Sequence, residues 1–110
     1  MRGGLYLDTW QGDKMTRSII QNEKRCYIKG CCKTTGLHLH HIFYGTANRR
    51  LSDEDGLVIW LCYDHHLGNA GVHNNNTLDN KIKAEAEEIY LETNNKTIED
   101  FIKRYGKNYL

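Results

Sequence analysis

Apolar and polar positions alternate from Leu37 to Ile42, the period of a strand with one face buried. Side chains on such a strand point to opposite faces in turn, so His38 and His40 share a face while His41 looks away with Leu39. Leu57 to Cys62 is an unbroken apolar run rich in strand formers and reads as a second, fully buried strand. Between the two, residues 43–50 carry a glycine and small side chains and read as a loop, and Ser52 to Gly56 breaks the chain before the second strand. Asp64 is placed to cap a following helix with His65 and His66 in its first turn, and Gly68 and Gly71 keep that helix short. From there the spacing becomes helical. Thr77 can cap a helix to about Thr93, with Leu78, Ile82, Ala86, Ile89 and Tyr90 as its apolar stripe and acids and lysines opposite. Thr97 and Asp100 form a capping pair for a last helix whose Ile98, Phe101, Ile102 and Tyr105 face the core, ending at Gly106. Upstream, Met15, Ile19 and Ile20 fit a short helix from Met15 to Lys24. Residues 1–14 are glycine-rich and without period, and are expected to be poorly ordered. The expected fold class is α+β, as a single domain over residues 15–110.

Composition supports a folded domain: 39% of the 110 residues are hydrophobic and 26% charged, too apolar a mixture for a disordered chain. The longest apolar run, Leu57 to Cys62, is far too short to cross a bilayer, and no charged-then-apolar leader opens the sequence. A cytoplasmic protein with no membrane association is the expectation. The net charge of +1 conceals an asymmetry: residues 1–50 carry nine Lys and Arg against three acids, and residues 51–110 carry six against eleven. A basic half of this kind can meet a polyanion although the average is near neutral.

The polar residues within the strands carry the chemistry. Three of the six histidines lie at His38, His40 and His41, and Cys62-Tyr63-Asp64-His65-His66 answers them at the end of the second strand. Cys26 and Cys31, with four residues between them, or Cys26 and Cys32, with five between, have the form of a knuckle that brings two thiolates to one ion. Without a leader, and with histidines nearby, metal ligation accounts for these cysteines better than disulfides. Cys62 and His65 match the other half of a zinc site, which leaves His66 free for a second one. His73 is either a further ligand or polar surface. Adjacent His40 and His41 cannot easily ligate one ion from a regular strand, so one is expected as a ligand and the other as a base. Arg49 and Arg50, with Asn48 beside them, are suited to contact a nucleic-acid backbone near the histidines.

His40-His41-Ile42 followed by a buried strand ending in Cys62-x-x-His65-His66 resembles the HNH endonucleases of the ββα-metal, or His-Me finger, group. The run HLHHIFYGTANRRLSDEDGLVIWLCYDHH, the GVH at Gly71 to His73 and the closing FIKRYGKNYL look more closely like small HNH-type proteins of phages and prophages of Gram-positive bacteria. The resemblance implies a ββα-metal core with zinc-knuckle-like turns and two C-terminal helices. It implies that His40 is the first ligand of a catalytic divalent ion (Mg²⁺, Mn²⁺ or Ni²⁺), that His66 closes that site, and that His41 is the general base. His73 would be a third ligand or a phosphate contact. Cys26, Cys31, Cys62 and His65 would hold a structural Zn²⁺. The implied partner is DNA and the implied reaction is phosphodiester hydrolysis by a monomer or homodimer, with a non-catalytic zinc-stabilised DNA-binding module as the alternative. Two features depart from the family's pattern: Asp55 and Gly56 occupy the region where its middle asparagine is expected, with Asn48 the nearest asparagine upstream, and the first knuckle is longer than usual, with Lys29 where a cysteine would be expected.

Overall fold

The computed structural model of the protein describes residues 18–110. Residues 1–14 and the first three of the expected N-terminal helix lie outside that range. The described chain is a small α+β domain with a two-stranded sheet and four helices: β1 (His38–His41), α1 (Asn48–Asp55), β2 (Val58–Leu61), α2 (Tyr63–His66), α3 (Asn76–Asn94) and α4 (Ile98–Tyr105). Among the described residues no helix is long and apolar enough to cross a membrane.

β1 and β2 are antiparallel, in a register that sets His38 opposite Leu61, Leu39 opposite Trp60, His40 opposite Ile59 and His41 opposite Val58. Every residue of β2 is buried, as its unbroken apolar run requires. Its free edge is covered by residues 18–27 rather than by another strand. Ile19 N–H donates to Gly56 O, Ser18 Oγ to Val58 O, and Tyr27 N–H to Trp60 O, while Trp60 N–H donates to Gln21 Oε1. The helix expected from Met15 to Lys24 is therefore absent from 18–24: those backbone and side-chain groups satisfy an otherwise unpaired sheet edge.

The loop expected over residues 43–50 is also corrected, because α1 begins at Asn48 and runs through the acids to Asp55. Its inward face is polar, so the apolar period could not reveal it. Ser52 is fully buried, its Oγ donating to Phe43 O at 2.7 Å and accepting from Phe43 N–H at 3.0 Å. Asn48 Nδ2 donates to Tyr105 O, and Asp55 accepts from Tyr105 OH and from Arg104. Gly56, at φ 74°, ends α1 in a left-handed cap that a residue with a side chain would adopt only under strain.

The two long C-terminal elements form as expected, with corrected caps and faces. Asn75, not Thr77, caps α3: its side chain accepts from Leu78 N–H. Ile82, Ala86 and Tyr90 bury, but so do Asp79 and Glu87, which had been placed on the solvent side. Glu87 accepts from Tyr109 N–H and Asp79 pairs with Lys83 and accepts from Tyr44 OH, so neither is buried without a partner. α4 has the expected capping box of Thr97 and Asp100. Only Phe101 and Tyr105 enter the core, stacked against each other with Phe101 edge-on to Phe43 and Tyr90, while Ile98 and Ile102 are exposed.

Candidate functional site

One group of side chains gathers where the knuckle meets the start of α2. Gly30, at φ 90°, turns the chain so that Cys31 returns toward Cys26, with Cys31 N–H donating to Ile28 O. Cys62 is the N-cap residue of α2, and one turn later His65 projects back at it. Asp64 is thus not the cap; its carboxylate pairs with Lys33 instead. His65 Nδ1 lies 3.2 Å from Cys62 Sγ and 3.4 Å from Cys26 Sγ, and Cys31 Sγ is 4.0 Å from Cys62 Sγ. The four ligand atoms all lie within 4.8 Å of one another, close enough to hold a metal ion. Cys32 is exposed and stands outside the group. The backbone N–H of Lys33 pulls the Cys31 thiol down from its ordinary value, whereas burial pushes Cys26 up.

A second group lies on the face of β1 that turns toward α2. His40 comes from the strand, His66 from the last position of α2, and His73 from the loop that follows. Their ring centroids are 4.8–5.2 Å apart, and their ligand atoms again fall within 4.8 Å of one another. The loop reaches this position by lying on the backbone of α2. Val72 N–H donates to His65 O at 2.9 Å, and the Asn74 amide bridges Leu67 O and Gly68 O. Gly71 makes that approach possible. A Cβ there would meet His66 C at 2.7 Å, His66 O at 2.8 Å and His65 C at 2.9 Å, all backbone atoms that cannot swing aside. Gly71→Ala is therefore expected to cost about 1–3 kcal/mol of stability through overpacking. It should also lift His73 away from His66, read as a lowered melting temperature together with weaker binding of added ion.

The electrostatics suit a cation held by neutral imidazoles. Burial, then the neighbouring charges of His66 and His73, pushes His40 down to about 3; burial, then His73 and His38, pushes His66 down to about 4. Both rings are thus uncharged at neutral pH, with one nitrogen of each free to donate a lone pair to a metal. His40 is 2% exposed and its Nε2 has no hydrogen-bond partner among the described residues. An orphaned buried nitrogen of this kind costs about 1–3 kcal/mol, and a metal ion shared with His66 and His73 would satisfy it. The residues present therefore fit a bound ion. The wall beside them is Tyr44, whose ring lies against His40 and His73, with Lys83 Nζ 4.3 Å from the ring centre.

On the opposite face of β1 His41 takes no part in either group. Its Nε2 lies 3.2 Å from Asp53 Oδ1 of α1, at the back of a cleft of about 400 Å³ lined by Leu39, Thr46, Arg49 and Arg50. Arg50 is paired with Glu54. The Arg49 side chain has no partner among the described residues. Arg104 neutralises Asp55 and also contacts Glu54, so the acids of α1 do not leave the cleft strongly negative. Asn48 is outside the lining, its amide spent on Tyr105.

Sequence reasoning missed Asp53 and left His38 without a role. Asp53 sits in a helix with no apolar period, so no pattern connects it to His41 twelve residues earlier. His38 Nδ1 lies 2.8 Å from His66 Nδ1; the shared face of His38 and His40 on β1 was the available signal. In comparison with known proteins, the chain matches no family model, and no curated protein or solved structure is significantly similar to it.

Proposed function

We propose that the protein is a metal-dependent endonuclease of the HNH type, in which β1, β2 and α2 form a ββα-metal core and DNA phosphodiester bonds are the substrate. The observation that carries this reading is the division of neighbours on β1: His40 turns into a cluster of three imidazoles, and His41 turns to a carboxylate in a cleft that Arg49 also lines. Hydrolysing a phosphodiester requires a base for the attacking water and positive charge for the phosphate and the departing oxygen.

In this reading His41 takes the proton of the water. Asp53 holds the ring at Nε2, so that Nδ1 is the nitrogen left to accept, and stabilises the imidazolium that forms. Arg49 contacts a phosphate oxygen from the cleft wall. His40, His66 and His73 hold the catalytic ion, whose chemistry when bound is to polarise the phosphate and stabilise the leaving oxygen. Three imidazoles with no carboxylate favour Ni²⁺, Zn²⁺ or Mn²⁺ over Mg²⁺, which prefers oxygen ligands. Cys26, Cys31, Cys62 and His65 hold a structural Zn²⁺, for which a closed set of four nitrogen and sulfur ligands is the usual donor set.

The test is a plasmid-cleavage assay on protein stripped of the weaker ion and given Mg²⁺, Mn²⁺, Ni²⁺ or Zn²⁺ in turn. Supercoiled plasmid is expected to be nicked with a transition ion and to stay intact without one. Retardation of DNA with no cutting under any ion would replace this reading with that of a zinc-stabilised DNA-binding module, whose affinity would fall steeply with salt.

A further inference from the structure

His66 lies between two other imidazoles: its Nδ1 is 2.8 Å from His38 Nδ1, and its Nε2 is 3.2 Å from His73 Nε2. A neutral imidazole carries one proton, so one of its nitrogens donates and the other presents a lone pair. The side facing His73 is the side of the three-imidazole group, to which His38 does not belong. His38 stands behind His66, on the far edge of its ring. Its own ring is held edge-on by Tyr63, with centroids 6.3 Å apart.

We propose that His38 is a positioning residue for ion binding: its Nδ1 accepts the single proton of His66 from Nδ1, which fixes the His66 tautomer and aims the bare Nε2 into the group with His40 and His73. If His66 Nε2 ligates, the proton must reside on Nδ1, and at 2.8 Å the atom opposite it must be an acceptor. His38 Nδ1 is then bare and its proton is on Nε2. The strand register places His38 for this task, because it is two residues before His40 on the same face and opposite Leu61, which leads into Cys62 and α2. Such partners behind a ligand commonly change metal affinity by about 10–100-fold. The inference rests on reading His40, His66 and His73 as an ion site; it does not depend on nuclease activity.

The experiment is a calorimetric titration of Ni²⁺ into the full chain with its cysteine site already loaded with Zn²⁺. Wild type is expected to bind one further ion. His38→Phe, which keeps a ring against Tyr63 but removes the acceptor, should bind it about 10–100-fold more weakly, with zinc content and circular dichroism unchanged. His38→Asn, which restores an acceptor near the same place, should recover part of the loss. Equal affinity in wild type and His38→Phe would overturn the role of His38 and leave the ion site standing. No second ion in wild type would overturn both. A measurement on wild type alone guards against misfolded variants: nitrogen-15 correlation spectra of the Zn²⁺-loaded chain should show His66 protonated at Nδ1, and protonation at Nε2 would sink the proposal.

Discussion

Cys62→Ala is expected to abolish the cooperative melt of this protein, and removal of zinc by a strong chelator should do the same to the unaltered chain. Cys62 is 2% exposed and stands at a junction: it follows β2, is the N-cap residue of α2 and lies within reach of Cys31 and His65. Its neighbours in the fold are short. Each strand has four residues and α2 a single turn, too little to persist alone in water. A domain of this size has about 5–15 kcal/mol of stability, whereas ion binding in a closed zinc group contributes about 10–16 kcal/mol of apparent free energy at neutral pH. The ion term is as large as the whole stability. Thermal melts followed by far-ultraviolet circular dichroism, with zinc measured alongside, check this. A chelated chain that still melts cooperatively within a few degrees of the loaded one would show that the cysteine group is not what holds the fold.

His41→Ala is expected to reduce plasmid nicking by at least about 10²–10⁴-fold, the usual worth of a general base, while leaving zinc content, melting temperature and DNA retardation close to wild type. The side chain is a sound one to remove. It packs in neither metal group, and its partner Asp53 is about one third exposed, so water can solvate the carboxylate left behind. Asp53→Ala should give a smaller loss, because His41 remains but is no longer held. Nicking that survives unchanged in His41→Ala would remove the base from this position and direct attention to the imidazoles across the strand.

What the residues revealed in advance follows from which forces leave a periodic mark. β2, α3 and α4 were legible because each buries apolar side chains, and burial imposes the period of the element; β1 was legible from its alternation, although the residue it buries is His40 rather than Leu39. α1 left no such mark. It is held by Ser52 clasping the backbone of Phe43, by Asn48 on Tyr105 and by Asp55 on Arg104 and Tyr105, all directional polar contacts whose partners lie far away in sequence. The same blindness hid Asp53. Residues 18–24 fit a helical pattern in sequence because Ile19 and Ile20 are adjacent and apolar, yet both pack beside a sheet edge. Among the cysteines, spacing could not separate Cys31 from Cys32; the turn at Gly30 does, by sending one side chain inward and its neighbour to the surface. Histidine density, by contrast, marked both groups, since so many imidazoles in so short a span are poorly explained by packing.

His65 and His66 are consecutive on one turn of helix, yet one turns to the cysteines and the other to the histidines. α2 is in effect a rocker with a weight on each end. Any tilt of α2 that moves His65 relative to the cysteines also moves His66 relative to His40 and His73. Whatever free energy the first occupant lends the second, the second returns to the first in equal measure. If both groups hold ions, the two sites are therefore linked through the single peptide bond between His65 and His66.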